Sequence, residues 1–212
     1  YFVGVIFGRY SLGKPGLNFA GGDWSASAQG SLVDADNIVP IMDGEYYTDD
    51  IVKKLRDFLV TVYGESTLHA NMDWLADALG RKSTEHAEDT LRRYFTEDFF
   101  ADHFKVYGKR PIYWQLSSGK SNGFKALFYL HRYQPNLIAT VRTQYLLNTQ
   151  NIYTKRLAEL DAKTTLNNDE LKQKVDLTLK LAEIKTYDAL IAVAASKSVS
   201  LDLDDGVKTN YP

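Results

Sequence analysis

The 212-residue chain has no cysteine, which excludes a disulfide framework and any thiolate metal site and points weakly to a reducing compartment. It has no apolar run approaching the roughly 18 residues of a membrane span, and its first residues lack the basic, apolar and small-residue order of a secretory signal. A cytoplasmic location without a membrane partner is the expectation. Strong net charge is missing as well: 25 Lys and Arg face 27 Asp and Glu, a net of -2, which alone implies no polyanionic partner.

Catalytic signatures are equally scarce. The four histidines, His69, His86, His103 and His131, fall into no metal-ligand spacing. "FAGGD" at Phe19 to Asp23 has neither the strand before it nor the helix after it that a cofactor-binding glycine loop needs. "DLDDG" near the end lacks the third carboxylate and the sixth-place glycine of a calcium loop. Glu183-Ile184-Lys185 matches only the last part of a restriction-nuclease motif and lies in a helical pattern. The reading is a chain with no catalytic residues, no metal and no cofactor of its own.

One further absence is local. From His103 to Ala158 there is no acidic residue, while nine Lys or Arg occur: Lys105, Lys109, Arg110, Lys120, Lys125, Arg132, Arg142, Lys155 and Arg156. Such a run is most often a solvated face. Here it is interleaved with Tyr107, Tyr113, Trp114, Tyr129, His131, Tyr133 and Tyr145, and unneutralised cations beside aromatic rings suit phosphate and sugar contact. "SSGKSNG" places Lys120 in a small-residue loop where backbone amides and an ammonium can meet one phosphate, although the nucleotide-binding pattern GxxxxGK[ST] is not met. Trp114 and Phe128 are expected in the core. Residues 1 to 50 carry two basic against seven acidic residues and are not expected to face phosphates.

At 44% apolar composition the chain can bury a sizeable core as one large domain or two small ones. It starts without Met, directly in "YFVGVIFGRY", as a piece of a longer polypeptide would; this segment reads as a short helix or strand, with Gly4 and Gly8 marking close backbone contact. A helix capped by Thr48 or Asp49 carries Ile51, Val52, Leu55, Phe58, Leu59 and Val62 on one face. A second uses Leu68, Met72, Leu75 and Leu79 and ends near Gly80. A third, capped at Ser83 or Thr84, uses Leu91, Tyr94, Phe95 and Phe99 or Phe100. "PIYWQL" and "FKALFYLHRY" then read as a long-looped β-hairpin. Two long helices follow, from about Leu137 to Lys163 and from about Asn168 to Ala195, the second with Leu171, Val175, Leu179, Ala182 and Leu190 as its seam.

The expected fold is therefore α+β and predominantly helical: a small helical layer, a β-hairpin or small sheet, and a long antiparallel helical hairpin. Its parts are a mixed module over 1–136, the helical hairpin over 137–197, and an extended tail over 198–212 that packs back on the module.

Several segments in order, "VIFGRYSL", "GLNFAGGDW", "DNIVPIMDGEYYTDDIV", "FLVTVYGESTL", "LRRYFTEDFFADHFKVYGKRPIYWQLSSGKSNGFKALFYLHRY", "VRTQYLLNTQNIYTKRL" and "LDLDDGVKTNY", resemble the C-terminal part of adenine-specific DNA methyltransferases of the BREX phage-defence type (the PglX family), related to type IIG restriction-modification enzymes. The resemblance covers nearly the whole chain. It implies a parent enzyme that moves a methyl group from S-adenosylmethionine to adenine N6, using an Asn/Asp-Pro-Pro-Tyr/Phe motif that this chain does not contain. The chain then corresponds to material concerned with DNA placement, target recognition or domain joining. Its implied partners are double-stranded DNA, the catalytic domain of the same polypeptide and other defence proteins. Lys109, Arg110, Lys120, Lys125, Arg132 and Arg142 are the candidate contacts to the DNA backbone. The competing reading is a structural or protein-interaction module that never touches DNA; an autonomous enzyme ranks below both.

Overall fold

Asp50 opens the first long helix, because its carboxylate accepts from the amides of Val52 and Lys53, two donors that would otherwise have no partner at a helix start. The cap thus lies one residue beyond the nearer of the two expected from sequence. In the computed structural model, which describes residues 1–22, 24 and 30–201, the chain divides into two compact units. Tyr1–Gln115 with Ala126–Tyr133 form the first; Leu116–Lys125 with 134–201 form the second.

In the first unit, α1 (Phe2–Ile6) is followed by β1 (Val39–Pro40), α2 (Ile51–Tyr63), α3 (Leu68–Ala78), α4 (Ala87–Arg93) and α5 (Phe99–Val106), the last two joined through a π-helical turn, Tyr94–Asp98. The third expected helix therefore exists, but His86 rather than Ser83 or Thr84 caps it, in a reciprocal box with Asp89. One core gathers Val3, Ile6 and Phe7 of the opening segment, Ile51, Leu55 and Leu59 of α2, Met72 and Ala76 of α3, and Leu91 and Phe95. Burial of this apolar face, at about 25 cal/mol per Å², is what holds helices that are individually too short to persist in water. Gly4 is required here: a Cβ on it would sit 2.2 Å from the Tyr10 ring.

β2 (Tyr113–Ser117) and β3 (Lys125–Tyr129) form the expected hairpin and continue from one unit into the other. The sheet order is β1-β3-β2, with β1 antiparallel to β3 in the register Val39↔Leu127 and Pro40↔Ala126. As the central strand, β3 has Ala126, Leu127, Phe128 and Tyr129 all buried, so both of its faces are covered. Trp114 departs from expectation. It is only half-buried, with its indole N–H donating to the Pro111 carbonyl at 2.9 Å, and the buried aromatic of β2 is its neighbour Tyr113.

In the second unit, α6 (Leu137–Thr140), a π-helical turn (Val141–Leu146) and α7 (Leu147–Asp161) run on into the short turn before α8 (Asn168–Lys197). Asn167 and Glu170 make a capping box at the start of α8, at 2.9 and 3.0 Å. The two helices expected from sequence are present. Their seam is not the expected one: Leu177, Lys180, Ile184 and Ile191 are buried on α8, whereas Leu171, Val175, Leu179 and Leu190 are 48%, 61%, 56% and 67% exposed and Ala182 is exposed too. Apolar residues occur on nearly every side of α8, so periodicity alone selects no face, and a lysine at a buried position disguises the true one. Lys180 is accommodated because its ammonium reaches Asp176 at 2.5 Å and lies over the Tyr153 ring.

Among the described residues no helix is long and apolar enough to cross a membrane. The expected tail from Asp202 onward falls outside the described residues.

Candidate nucleic-acid interface

After β2, six small or polar residues, Ser118 to Gly123, lead towards β3, and this stretch has no apolar side chain with which to anchor itself. Its order comes from one carboxylate. Glu183, on α8, accepts from the Ser118 hydroxyl at 2.6 Å and the Gly123 amide at 3.0 Å through Oε1, and from the Ser121 amide at 2.7 Å through Oε2. The loop is closed below by Ser118 N–H to the Phe124 carbonyl at 2.9 Å, and the Phe124 amide donates to the Ser118 hydroxyl at 2.8 Å. Gly123 permits the approach, since a Cβ there would meet the Lys180 carbonyl at 2.9 Å. Burial disfavours the Glu183 charge, yet the hydrogen bonds from Ser118, Ser121 and Gly123 together hold its carboxyl below the usual carboxylate value.

This arrangement corrects one expectation. Two of the loop amides that a phosphate would need are already taken by Glu183, so the loop offers a phosphate its ammonium rather than a cradle of backbone donors. Lys120 is exposed at the tip, and no salt bridge among the described residues involves it. Lys125, at the start of β3, is half-buried and already engaged with a neighbour.

The remaining candidates separate into outward and inward groups. Lys109 and Arg110 follow α5 on the first unit, both exposed, with Lys109 in the left-handed region at φ 68 and its amide donating to the Phe104 carbonyl at 2.8 Å. His103 fixes the chain just beyond them: its Nε2 accepts from the amides of Ile112 and Tyr113, each at 3.1 Å, and burial, with the Arg9 charge adding to it, lowers its pKa to about 4. This anchoring was not legible in the sequence, where the histidine stood only as a failed metal ligand.

Arg132 faces inward. Its guanidinium donates to the carbonyls of Asp34 at 2.9 Å, Ala35 at 3.1 Å and Phe7 at 3.4 Å, and lies 3.9 Å from the Trp24 ring centroid. Burial lowers its pKa to about 10. A side chain so enclosed has no face to turn to a phosphate, and Arg132 is a structural cation. Arg142 is bound to Asp188 of α8 through two hydrogen bonds, at 2.7 and 3.1 Å, a bidentate pairing within the second unit. Arg156 pairs with Glu159 at 3.0 Å. With Lys125, at least four of the nine basic residues are thus drawn into the protein's own contacts.

Two other polar groupings escaped the sequence reading. Arg9 donates to the Tyr129 hydroxyl at 2.9 Å, which in turn donates to the Phe19 carbonyl at 2.9 Å. Carboxylate oxygens of Asp34, Asp36 and Asp49 lie within 4.8 Å of one another; Asp34 and Asp36 both accept from the Ile38 amide, and Asp34 pairs with Lys54 at 3.0 Å, which accounts for the gathering of these two. The described residues of "FAGGD", Phe19 to Gly22, lie in irregular chain.

No protein-family model matches the chain. Among curated proteins, the adenine-specific methyltransferase PglX of Lacticaseibacillus casei (strain Zhang) is 40% identical to it over 221 residues, and the adenine-specific methyltransferase BrxX of Escherichia coli O9:H4 (strain HS) is 38% identical over 229 residues. Each alignment takes in the whole of this chain but only 18% and 19% of the relative, so the chain spans less than a fifth of the length of the proteins it matches. The resemblance read from the ordered motifs agrees with both.

Proposed function

We propose, from the premise that the whole chain is similar to one segment of two adenine-specific methyltransferases, that it is a non-catalytic part of a site-specific adenine-N6 DNA methyltransferase of a phage-defence or restriction-modification system and helps to place the DNA. The observation that carries the reading is Lys120, exposed on a loop whose backbone is tied down by Glu183 and lying within 56 residues that hold no acid. A cation held on an ordered loop gives up less entropy on meeting a phosphate than one on a loose loop. Lys109, Arg110 and Lys125 are the further candidates. S-adenosylmethionine would be the methyl donor of the parent enzyme and would be held outside this chain, while the catalytic domain of the same polypeptide is its first protein partner.

A second reading is favoured by a specific observation. Leu171, Val175, Leu179, Leu190 and Val193 leave an apolar stripe exposed along α8, which suits docking on a protein and not on DNA. The two readings part in one experiment: duplex binding by the full-length polypeptide across a salt series, wild type against the Lys120→Ala/Lys125→Ala double variant. DNA placement requires that the slope of log affinity against log salt fall by up to about 2 and that cognate and non-cognate duplexes weaken by similar factors. Equal affinities with parallel salt curves would leave the protein-docking reading.

A further inference from the structure

We infer that Glu183 is a positioning residue for DNA contact: its carboxylate fixes the 118–123 loop in the form that presents Lys120. This rests on the phosphate-contact reading above and adds to it a residue on a different element, of the opposite charge to the one that touches the ligand. The loop consists of Ser, Gly, Asn and Lys, whose backbone freedom is costly to remove and which offers no apolar anchor. Three hydrogen bonds to one carboxylate remove that freedom before any ligand arrives, and an ionised acceptor makes each of them stronger than its neutral equivalent. The anchor is rigid in its turn, because Glu183 directly precedes the buried Ile184 in a helix of 30 residues.

The sign of the effect separates this role from simple electrostatics. A carboxylate near a phosphate-binding lysine repels DNA, so its neutralisation should strengthen binding if charge were all that mattered. Positioning demands the reverse. Glu183→Gln offers one acceptor oxygen where two are in use and turns an N–H2 toward donors, whereas Glu183→Asp keeps the charge but falls one methylene short of the loop.

The test measures duplex affinity across a salt series for the full-length polypeptide as wild type, Lys120→Ala, Glu183→Gln, Glu183→Asp and the Glu183→Gln/Lys120→Ala double variant. Positioning predicts that both Glu183 variants bind about 3- to 10-fold more weakly, with a salt slope lower by about 1, and that the double variant is no weaker than Lys120→Ala alone. Amide exchange at Ser121 and Gly123 should quicken while that of Ile184 and Leu177 holds, which shows the loop released from a helix that remains folded. Tighter binding by Glu183→Gln would overturn the inference and identify the carboxylate as a competitor of phosphate for the loop amides. Losses that add fully in the double variant would overturn it as well. If Lys120→Ala weakens binding and neither Glu183 variant does, the inference fails while the phosphate reading stands; if Lys120→Ala changes neither affinity nor slope, both fail.

Discussion

Arg92 and Arg132 of the first unit and Lys120 of the second are put to opposite uses. Arg92 is buried in a bidentate pair with Asp50, at 2.8 and 3.0 Å, and donates also to the Met42 carbonyl at 3.0 Å; Arg132 is enclosed by three carbonyls. Lys120 stands on an exposed loop that a carboxylate holds from behind. The planar guanidinium satisfies several fixed acceptors at once and stays ionised when buried, while a lysine ammonium on a flexible stem is better left to solvent or to a ligand. Lys180 shows how narrow the exception is, since it is buried only with Asp176 and the Tyr153 ring beside it. A cation in the sequence therefore says little about a ligand until its partners are known.

The inward group should break the fold and the outward group should not. The largest effect is expected from Arg92→Ala, which strands Asp50 at 1% side-chain exposure and weakens the cap of α2; a loss of about 3–5 kcal/mol in urea unfolding is expected. On α8, Ile184→Ala should cost about 2–4 kcal/mol, whereas Val175→Asp on the exposed side should stay within about 0.5 kcal/mol. If the two substitutions cost the same, the seam has been assigned to the wrong face.

The pH dependence of His103 is a further test of the inward group. Folded, the imidazole stays neutral down to about pH 4, while the unfolded residue takes its proton near 6.5. Between those values the unfolded chain binds more protons, so the stabilisation is complete above about pH 6.5 and is lost as pH falls through about 4, up to about 3 kcal/mol in all. Denaturation midpoints measured from pH 7 to pH 4.5 should fall more steeply for wild type than for His103→Gln. Parallel curves would show that the imidazole is not held neutral by the fold.

How much of this was legible in the sequence depended on how plainly each residue's periodicity or chemistry singled out one environment. The stripe from Ile51 to Leu59 could pack only one way, and α2 follows it. The hairpin was legible for the same reason, from β-forming residues flanking a Gly- and Ser-rich loop. On α8 the apolar residues are spread around the axis, and Val175 was placed in a seam that Lys180 and Ile184 occupy instead. Glu183 was visible only as part of a failed nuclease motif, because its partners lie 60 to 65 residues away in sequence, and no local signal marks a pairing of that range. The acid-free run holds nine cations, but Arg132 and Arg142 have carbonyl and carboxylate partners that only the folded chain brings together.

The division between outward and inward cations is tested most directly by one salt series on the full-length polypeptide, comparing wild type with Lys109→Ala/Arg110→Ala/Lys120→Ala. The account predicts a slope of log duplex affinity against log salt reduced by up to about 3, at an unchanged melting temperature. An unchanged slope and affinity would contradict it.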